Sequence, residues 1–238
     1  MRNCIVAGSG IVGLLVLIAH AMGDAPNSPR IGKLPAGKVL FLGNSITLHG
    51  PAPNIGWTGT WGMAATEADR DYVHRVTQSI TKATGKRPAI KVSNVADFER
   101  RYADFDVAKS LQSQLEFAAD IVIIAVGENV PHLKDDGERT RFAEAFGSLL
   151  AAFRSKGSPA IFVRGSFWPD PAKDGIMKKA CEKIGGTWVE IGHLAKDETN
   201  YARTERKIDH AGVAAHPGDQ GMERIADAIW SAIEKRAK

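Results

Sequence analysis

The stretch from Val39 to Gly50, "VLFLGNSITLHG", decides how the rest of the chain is read. Four consecutive apolar residues, Val39 to Leu42, suit a strand covered on both faces. The run stops at Gly43-Asn44-Ser45. A glycine at that point permits a sharp exit that a side chain would obstruct, and it leaves the Ser45 hydroxyl at the carboxyl rim of a sheet. A nucleophile is presented in this way. An isolated G-x-S tripeptide is also a common strand end before a polar loop, so the remaining segments have to decide.

Working outward, further strands are expected at Ile90 to Val95, Ile121 to Val126, Ala160 to Val163 and Trp188 to Ile191. Helical spacing links Tyr72, Val76, Ile80 and Ala83, then Phe142, Phe146, Leu149, Leu150 and Phe153, and finally Met222, Ile225, Ala226, Ile229 and Ile233. The alternation predicts a three-layer α/β domain, flavodoxin-like, with a five-stranded, mostly parallel sheet. In such sheets ligands gather beyond the carboxyl ends of the strands. Those ends read "GNS", "SNVADFER" (93–100), "VGENV" (126–130) and "RGSFWPD" (164–170), and "IDHAGVAAHPGDQGM" (208–222) brings His216 to the same rim.

The amino terminus follows a different logic. Arg2 is the only charge before an apolar stretch from Ile5 to Ile18, followed by Ala19-His20-Ala21. This layout predicts a secretory signal over residues 1–21, the alternative being an uncleaved membrane anchor. Residues 22–37, rich in proline and glycine, read as a linker, and 38–238 as one domain. Cleavage would remove Cys4 and leave Cys181 alone, so no intramolecular disulfide is expected and Cys181 reads as a small buried residue on a helix. Metal-site spacing is absent from the sequence, and the reading calls for no cofactor. With 238 residues, 44% hydrophobic, 24% charged and a formal charge of +4, the chain suits a soluble domain in a secreted or periplasmic setting. No dense basic block interleaved with aromatics points to nucleic acid, and a cleaved signal would leave no stable membrane partner.

A serine becomes a useful nucleophile only with a base in hydrogen-bond reach and with donors aimed at the oxyanion. Ser45 and His216 fit the first two roles, with Pro217 stiffening the backbone after the histidine and Asp219 suited to capping the terminal helix. Asn129 offers an amide NH2 at the third strand end, where a donor to an oxyanion is expected.

These residues carry a resemblance. "GNSI" at 43–46 is similar to the GDS[L] block of the SGNH (GDSL) hydrolase superfamily, "GEN" at 127–129 to its GxND block, and "HPGDQGM" at 216–222 to its histidine block. The resemblance spans roughly residues 38–237. It implies ester hydrolysis with Ser45 as nucleophile, His216 as base and an oxyanion hole built from the Ser45 backbone NH, a glycine NH and the Asn129 side chain. Two departures stand out. "NVADFERR" has no glycine between Asn94 and Arg101, so the second backbone donor falls to Phe98 or Glu99, with Gly62 discounted at the entry of the first helix. The acid that the family places three residues before the histidine is replaced by Val213. Three arrangements are open: Asp209 bends back to the imidazole, another carboxylate such as Glu128 orients it, or a backbone carbonyl does so and leaves a Ser/His dyad.

Trp57, Trp61 and Trp168 fall on segments at the expected rim and suit sugar rings, while Arg100, Arg101 and Arg164 offer contacts for an acidic group. No broad apolar run suggests an acyl-chain groove. The expectation is an exported serine esterase that removes acetyl or other small acyl groups from a small-molecule or polysaccharide ester. Its alternatives are a lysophospholipase or thioesterase, and a non-catalytic polysaccharide-binding relative.

Overall fold

Side chains alternating along five short strands organise the domain. The computed structural model describes Met1 and residues 28–238; the expected signal, Cys4 and the apolar stretch from Ile5 to Ile18 lie outside the described residues. Strands β1 (Lys38–Gly43), β2 (Ala89–Asn94), β3 (Ile121–Ala125), β4 (Ala160–Arg164) and β5 (Thr187–Val189) form one sheet in the order β2-β1-β3-β4-β5. Every pairing in it is parallel. The helices that matter for the site are α1 (Tyr72–Thr84), α2 (Ala96–Arg100), α3 (Asp136–Arg154), α4 (Pro171–Lys183), α5 (Ala211–Ala214) and α6 (Asp219–Ala237).

Successive strand residues point to opposite faces, so an unbroken apolar strand must be covered twice. Val39, Phe41, Ile121 and Ile123 pack with Tyr72, Val76 and Ile80 of α1 and Ile225, Ile229 and Ile233 of α6. Leu40, Leu42, Val122 and Ile124 pack with Phe142, Phe146, Leu149 and Leu150 of α3 and Met177 and Cys181 of α4. Full burial of each Leu, Ile or Phe stabilises by about 1.5–3 kcal/mol relative to exposure, so the two layers together anchor the sheet. Burial pushes the Cys181 thiol up to about 11, which leaves it protonated and inert.

Chain order reverses between β1 and β3. From β1 the chain crosses outward to β2 and returns to β3, and the crevice at that switch lies where Gly43 faces Ala125. The last strand ends at Val189, short of the expected Ile191, and Gly62 lies ten residues before the first α-helix rather than at its entry. Two further differences concern residues 30–37 and the start of α6. Arg30–Ile31 and Leu34–Pro35 form a small antiparallel hairpin, Leu34 and Ala36 are buried, and Lys33 N–H donates to Ala237 O at 3.1 Å. The second half of the expected linker is therefore packed on the end of α6. Asp219 does not cap α6 from outside; it is the first helical residue, after Gly218. The Glu205 carboxylate takes over, accepting from the N–H groups of Asp219 and Gln220 at 2.8 Å each, while Asp219 receives Thr66 N–H at 2.8 Å.

The glycine that ends β1 is required by space. A Cβ on Gly43 would overlap Thr47 Oγ1 and come within 2.8 Å of the Ala125 carbonyl, and Thr47 cannot retreat because its hydroxyl is bonded to Tyr72 OH at 2.7 Å. Gly43→Ala is expected to lower the unfolding free energy by about 3 kcal/mol in urea denaturation, as overpacking does. Gly50→Ala, which meets open space, is expected to change it by less than about 0.5 kcal/mol.

Candidate active site

The turn after β1 holds Ser45 by its neighbours. Asn44 is fully buried and its Oδ1 accepts Ile46 N–H at 3.1 Å, while Thr47 and Leu48 donate back to Asn44 O at 3.0 and 2.9 Å. Ser45 is left half-buried, and its N–H meets no protein acceptor among the described residues. Its Oγ lies 2.8 Å from His216 Nε2. That distance is a hydrogen bond suited to proton transfer.

The opposite ring nitrogen settles the tautomer. His216 Nδ1 lies 2.7 Å from Gly212 O, and a carbonyl only accepts, so Nδ1 carries the proton and Nε2 is free to accept from Ser45. Gly212 is on α5, whose N-cap residue His210 accepts Val213 N–H on its Nδ1 at 3.3 Å. The imidazole is thus held by the last turn of a four-residue helix. Trp168 stands edge-on to the ring, with centroids 5.4 Å apart. Burial pushes the His216 pKa below its ordinary value, against the opposing pull of the Gly212 carbonyl and the Glu128 charge.

Neither carboxylate considered from the sequence orients this histidine. Asp209 is 93% exposed and its nearest charged partner is Lys207 at 4.0 Å. Glu128 is committed elsewhere: its side chain, 3% exposed, accepts from Arg164 Nη1 at 2.7 Å, Phe167 N–H at 2.8 Å and Asn44 Nδ2 at 2.7 Å. Burial pushes the Glu128 carboxyl up, but the Arg164 charge and hydrogen bond outweigh it and hold the carboxyl below the usual range. The arrangement is a Ser/His pair braced by a backbone carbonyl.

Asn129 follows Gly127, which has φ 129°, a region that favours glycine; a Cβ there would come 2.5 Å from Ser166 Oγ. Its Nδ2 donates to Glu99 Oε2 at 2.7 Å and its Oδ1 accepts from Arg100 at 3.4 Å. One amide hydrogen of Asn129 remains for an oxyanion. Of the two residues from which the sequence expects the second backbone donor, Glu99 has its N–H turned back to Val95 O at 3.4 Å. The Phe98 side chain is buried in the core, edge-on to Phe105, and leaves its main-chain N–H as the remaining expected donor. What reaches the site from α2 is the Glu99 side chain, which sequence reading missed because only its main chain was considered. Gly62 N–H donates to Asp71, away from Ser45.

Of the three arginines read as anion contacts, only Arg100 touches a site residue. Arg101 pairs with Asp97, and Arg164 is wholly buried against Glu128. Trp57 and Trp61 pack edge-to-face with centroids 5.6 Å apart, and their ring N–H groups donate to His49 O and Ala65 O. Beside them is a cavity of about 840 Å³ lined by Asn54, Thr58, Thr66, Arg206 and His210 as well as both tryptophans.

No protein-family model and no curated protein matches the sequence. Solved structures do match the fold. A lipase/acylhydrolase from Enterococcus faecalis superposes with a TM-score of 0.54 at 14% identity, covering 84% of this chain and 96% of that one. A GDSL-like lipase candidate from Bacteroides uniformis gives 0.52 at 15%, covering 84% and 97%. The acetyl xylan esterase AlAXEase gives 0.51 at 17%, covering 82% and 98%. The fold is that of the SGNH (GDSL) hydrolases.

Only a neutral His216 can accept the Ser45 proton, so kcat/KM for ester hydrolysis is expected to rise with pH through an apparent pKa below the ordinary histidine value and then level off. Asp209→Asn is expected to give a superimposable pH–rate curve within about twofold. A loss beyond about a hundredfold in the folded variant would restore Asp209 as the orienting acid.

Proposed function

We propose that this chain is an exported serine esterase that hydrolyses acetyl or other small acyl esters carried by carbohydrate. The observation that carries the reading is the 2.8 Å contact between Ser45 Oγ and His216 Nε2; the Ser45 N–H and one Asn129 amide hydrogen are not taken by other partners among the described residues. Those groups supply the parts that acyl transfer needs.

In this mechanism His216 Nε2 takes the Ser45 proton as Oγ attacks the ester carbonyl. The carbonyl electrons move onto oxygen, and the oxyanion is received by Ser45 N–H and Asn129 Nδ2. Collapse expels the alcohol, which takes the proton from His216 and leaves an acyl-serine. Water then repeats the sequence: it gives a proton to Nε2, attacks the acyl carbon and releases the acid as Ser45 regains its proton. The Gly212 carbonyl keeps Nδ1–H in place throughout. Each well-placed oxyanion donor contributes about 3–4 kcal/mol to the transition state, which is why the missing acid does not argue against catalysis.

Carbohydrate as the alcohol portion is supported by the cavity beside Trp57 and Trp61, whose wall includes His210 and Val213 of the segment that braces His216. Polar groups from Asn54, Thr58 and Thr66 line it alongside the aromatic rings, the combination that suits a sugar. The fold shared with AlAXEase, an acetyl xylan esterase, agrees with an acetyl ester. Export rests on the amino-terminal sequence, with Arg2, the apolar run and Ala19-His20-Ala21. No helix among the described residues is long and apolar enough to cross a membrane.

The test is a fluorophosphonate probe, which should label the parent protein at Ser45, followed by turnover of acetylated xylo-oligosaccharides against long-chain acyl esters. Ser45→Ala is expected to abolish labelling and to lower acetyl-ester turnover at least about a thousandfold with folding intact. Preference for long acyl chains would favour the lysophospholipase or thioesterase reading. An unlabelled, inactive parent protein would favour a non-catalytic one.

A further inference from the structure

Behind the candidate oxyanion hole lies a carboxylate that the mechanism above does not use. Glu99, buried on α2, receives four N–H donors. Its Oε1 accepts from Gly127 N–H at 2.6 Å, Asn129 N–H at 3.1 Å and Asn44 Nδ2 at 3.1 Å; its Oε2 accepts from Asn129 Nδ2 at 2.7 Å. These donors come from the ends of two neighbouring strands, β1 and β3. A buried carboxylate that ties both strand ends together does more than fill space, because three of its four contacts fall on the segment 127–129 that carries Asn129.

We propose that Glu99 is the positioning residue of this site: its carboxylate clamps the 127–129 turn and orients the Asn129 amide so that the remaining Nδ2 hydrogen faces the oxyanion formed at Ser45. The proposal rests on the esterase reading of the site. An amide is symmetrical enough in shape to sit either way round, so its direction has to be set by its partners. Glu99 Oε2 accepts only from the Nδ2 end, and Arg100 donates only to the Oδ1 end, so the two together leave one orientation. The same carboxylate explains the asparagine in "GNS". Asn44 Nδ2 stands between Glu99 Oε1 at 3.1 Å and Glu128 Oε2 at 2.7 Å, where an aspartate would place a third carboxylate against two others. Asn44 and Glu99 therefore work as a pair, amide on β1's turn and carboxylate on α2.

Glu99→Gln tests the clamp. A glutamine that keeps its oxygen toward the three donors at Oε1 turns its NH2 on Asn129, and Asn129 must then present Oδ1 to it and withdraw its donor from the oxyanion. With p-nitrophenyl acetate as the probe, kcat is expected to fall about a hundredfold with KM nearly unchanged, comparable to Asn129→Ala. The double variant Glu99→Gln/Asn129→Ala is expected to lose no more than Asn129→Ala alone, because both changes remove the same donor. Losses that multiply, or an unchanged kcat in folded protein, would overturn the proposal. Should Glu99→Gln fold poorly, Glu99→Asp keeps the charge, is one methylene shorter and is expected to show the same fall in kcat at constant KM. Failure of both variants to fold would assign the carboxylate to stability and likewise overturn the alignment role. Nitrogen-15 spectra read the clamp without substrate: the Gly127 and Asn129 amide resonances should both move in Glu99→Gln, and unmoved resonances would refute it. Lack of turnover in the parent protein would count against the esterase reading, while those resonances would still report on the clamp.

Discussion

Two buried carboxylates beneath adjacent strand ends constrain everything above them. Taking an ionised carboxylate out of water carries a penalty of several kcal/mol, so Glu99 and Glu128 persist only if donors surround them. Glu128 has the Arg164 guanidinium, the Phe167 N–H and the Asn44 amide. Among the described residues Glu99 has no cation in hydrogen-bond contact and relies on four N–H groups; its burial and the nearby Glu128 charge push its carboxyl up. The requirement for donors dictates the local backbone. The turn at Gly127 must aim N–H groups inward, and the residue before Ser45 must be an amide that can donate to both carboxylates.

This internal order frees the outer face for chemistry. Asn44, Glu99 and Glu128 are engaged with one another and with their donors beneath the site, although Arg164 Nε and Nη2 have no partner there, and the Ser45–His216 pair and one side of the Asn129 amide are left at the rim. His216 is oriented by Gly212 O in place of a carboxylate. A carbonyl fixes the tautomer as well as an acid would, but it carries only a partial charge. Burial favours the neutral imidazole and outweighs the opposing pull of the Gly212 carbonyl and the Glu128 charge, which suits a general base. The negative charge nearest in effect is that of Glu128, acting through space from the layer beneath the site.

Rigidity reaches the site from both sides of the sheet. On one side Thr47 and Tyr72 lock the turn after β1, and Glu205 and Thr66 fix the start of α6 just beyond His216. On the other, Asp174 accepts from Ser166 N–H and Oγ in the loop that carries Trp168 to the imidazole. A dyad without an acid depends on such bracing, because nothing but geometry holds the imidazole to the serine.

Local pattern was enough to read the strands, the two-faced core and the rim on which Ser45, Asn129 and His216 lie, because apolar runs and helical spacing are imposed by burial one residue at a time. The short strand ends and the glycine at position 43 belong to the same level: a missing side chain is visible as a letter. Tertiary structure alone decided what those residues touch. Asp209 precedes His216 closely enough to bend back to it, yet it points into solvent, while a carbonyl four residues before His216 curls onto the imidazole. By its place at a strand end Arg164 reads as a contact for an acidic substrate group, and it is instead sealed against Glu128. The carboxylate role of Glu99 is not legible in the sequence, which offers only its main-chain N–H, because its four donors come from segments 28 to 55 positions away in the chain and no local signal records which strand end a buried carboxylate will meet. Sequence determines which side chains must leave water, whereas the partner that makes a buried charge tolerable depends on how the strands are ordered in the sheet.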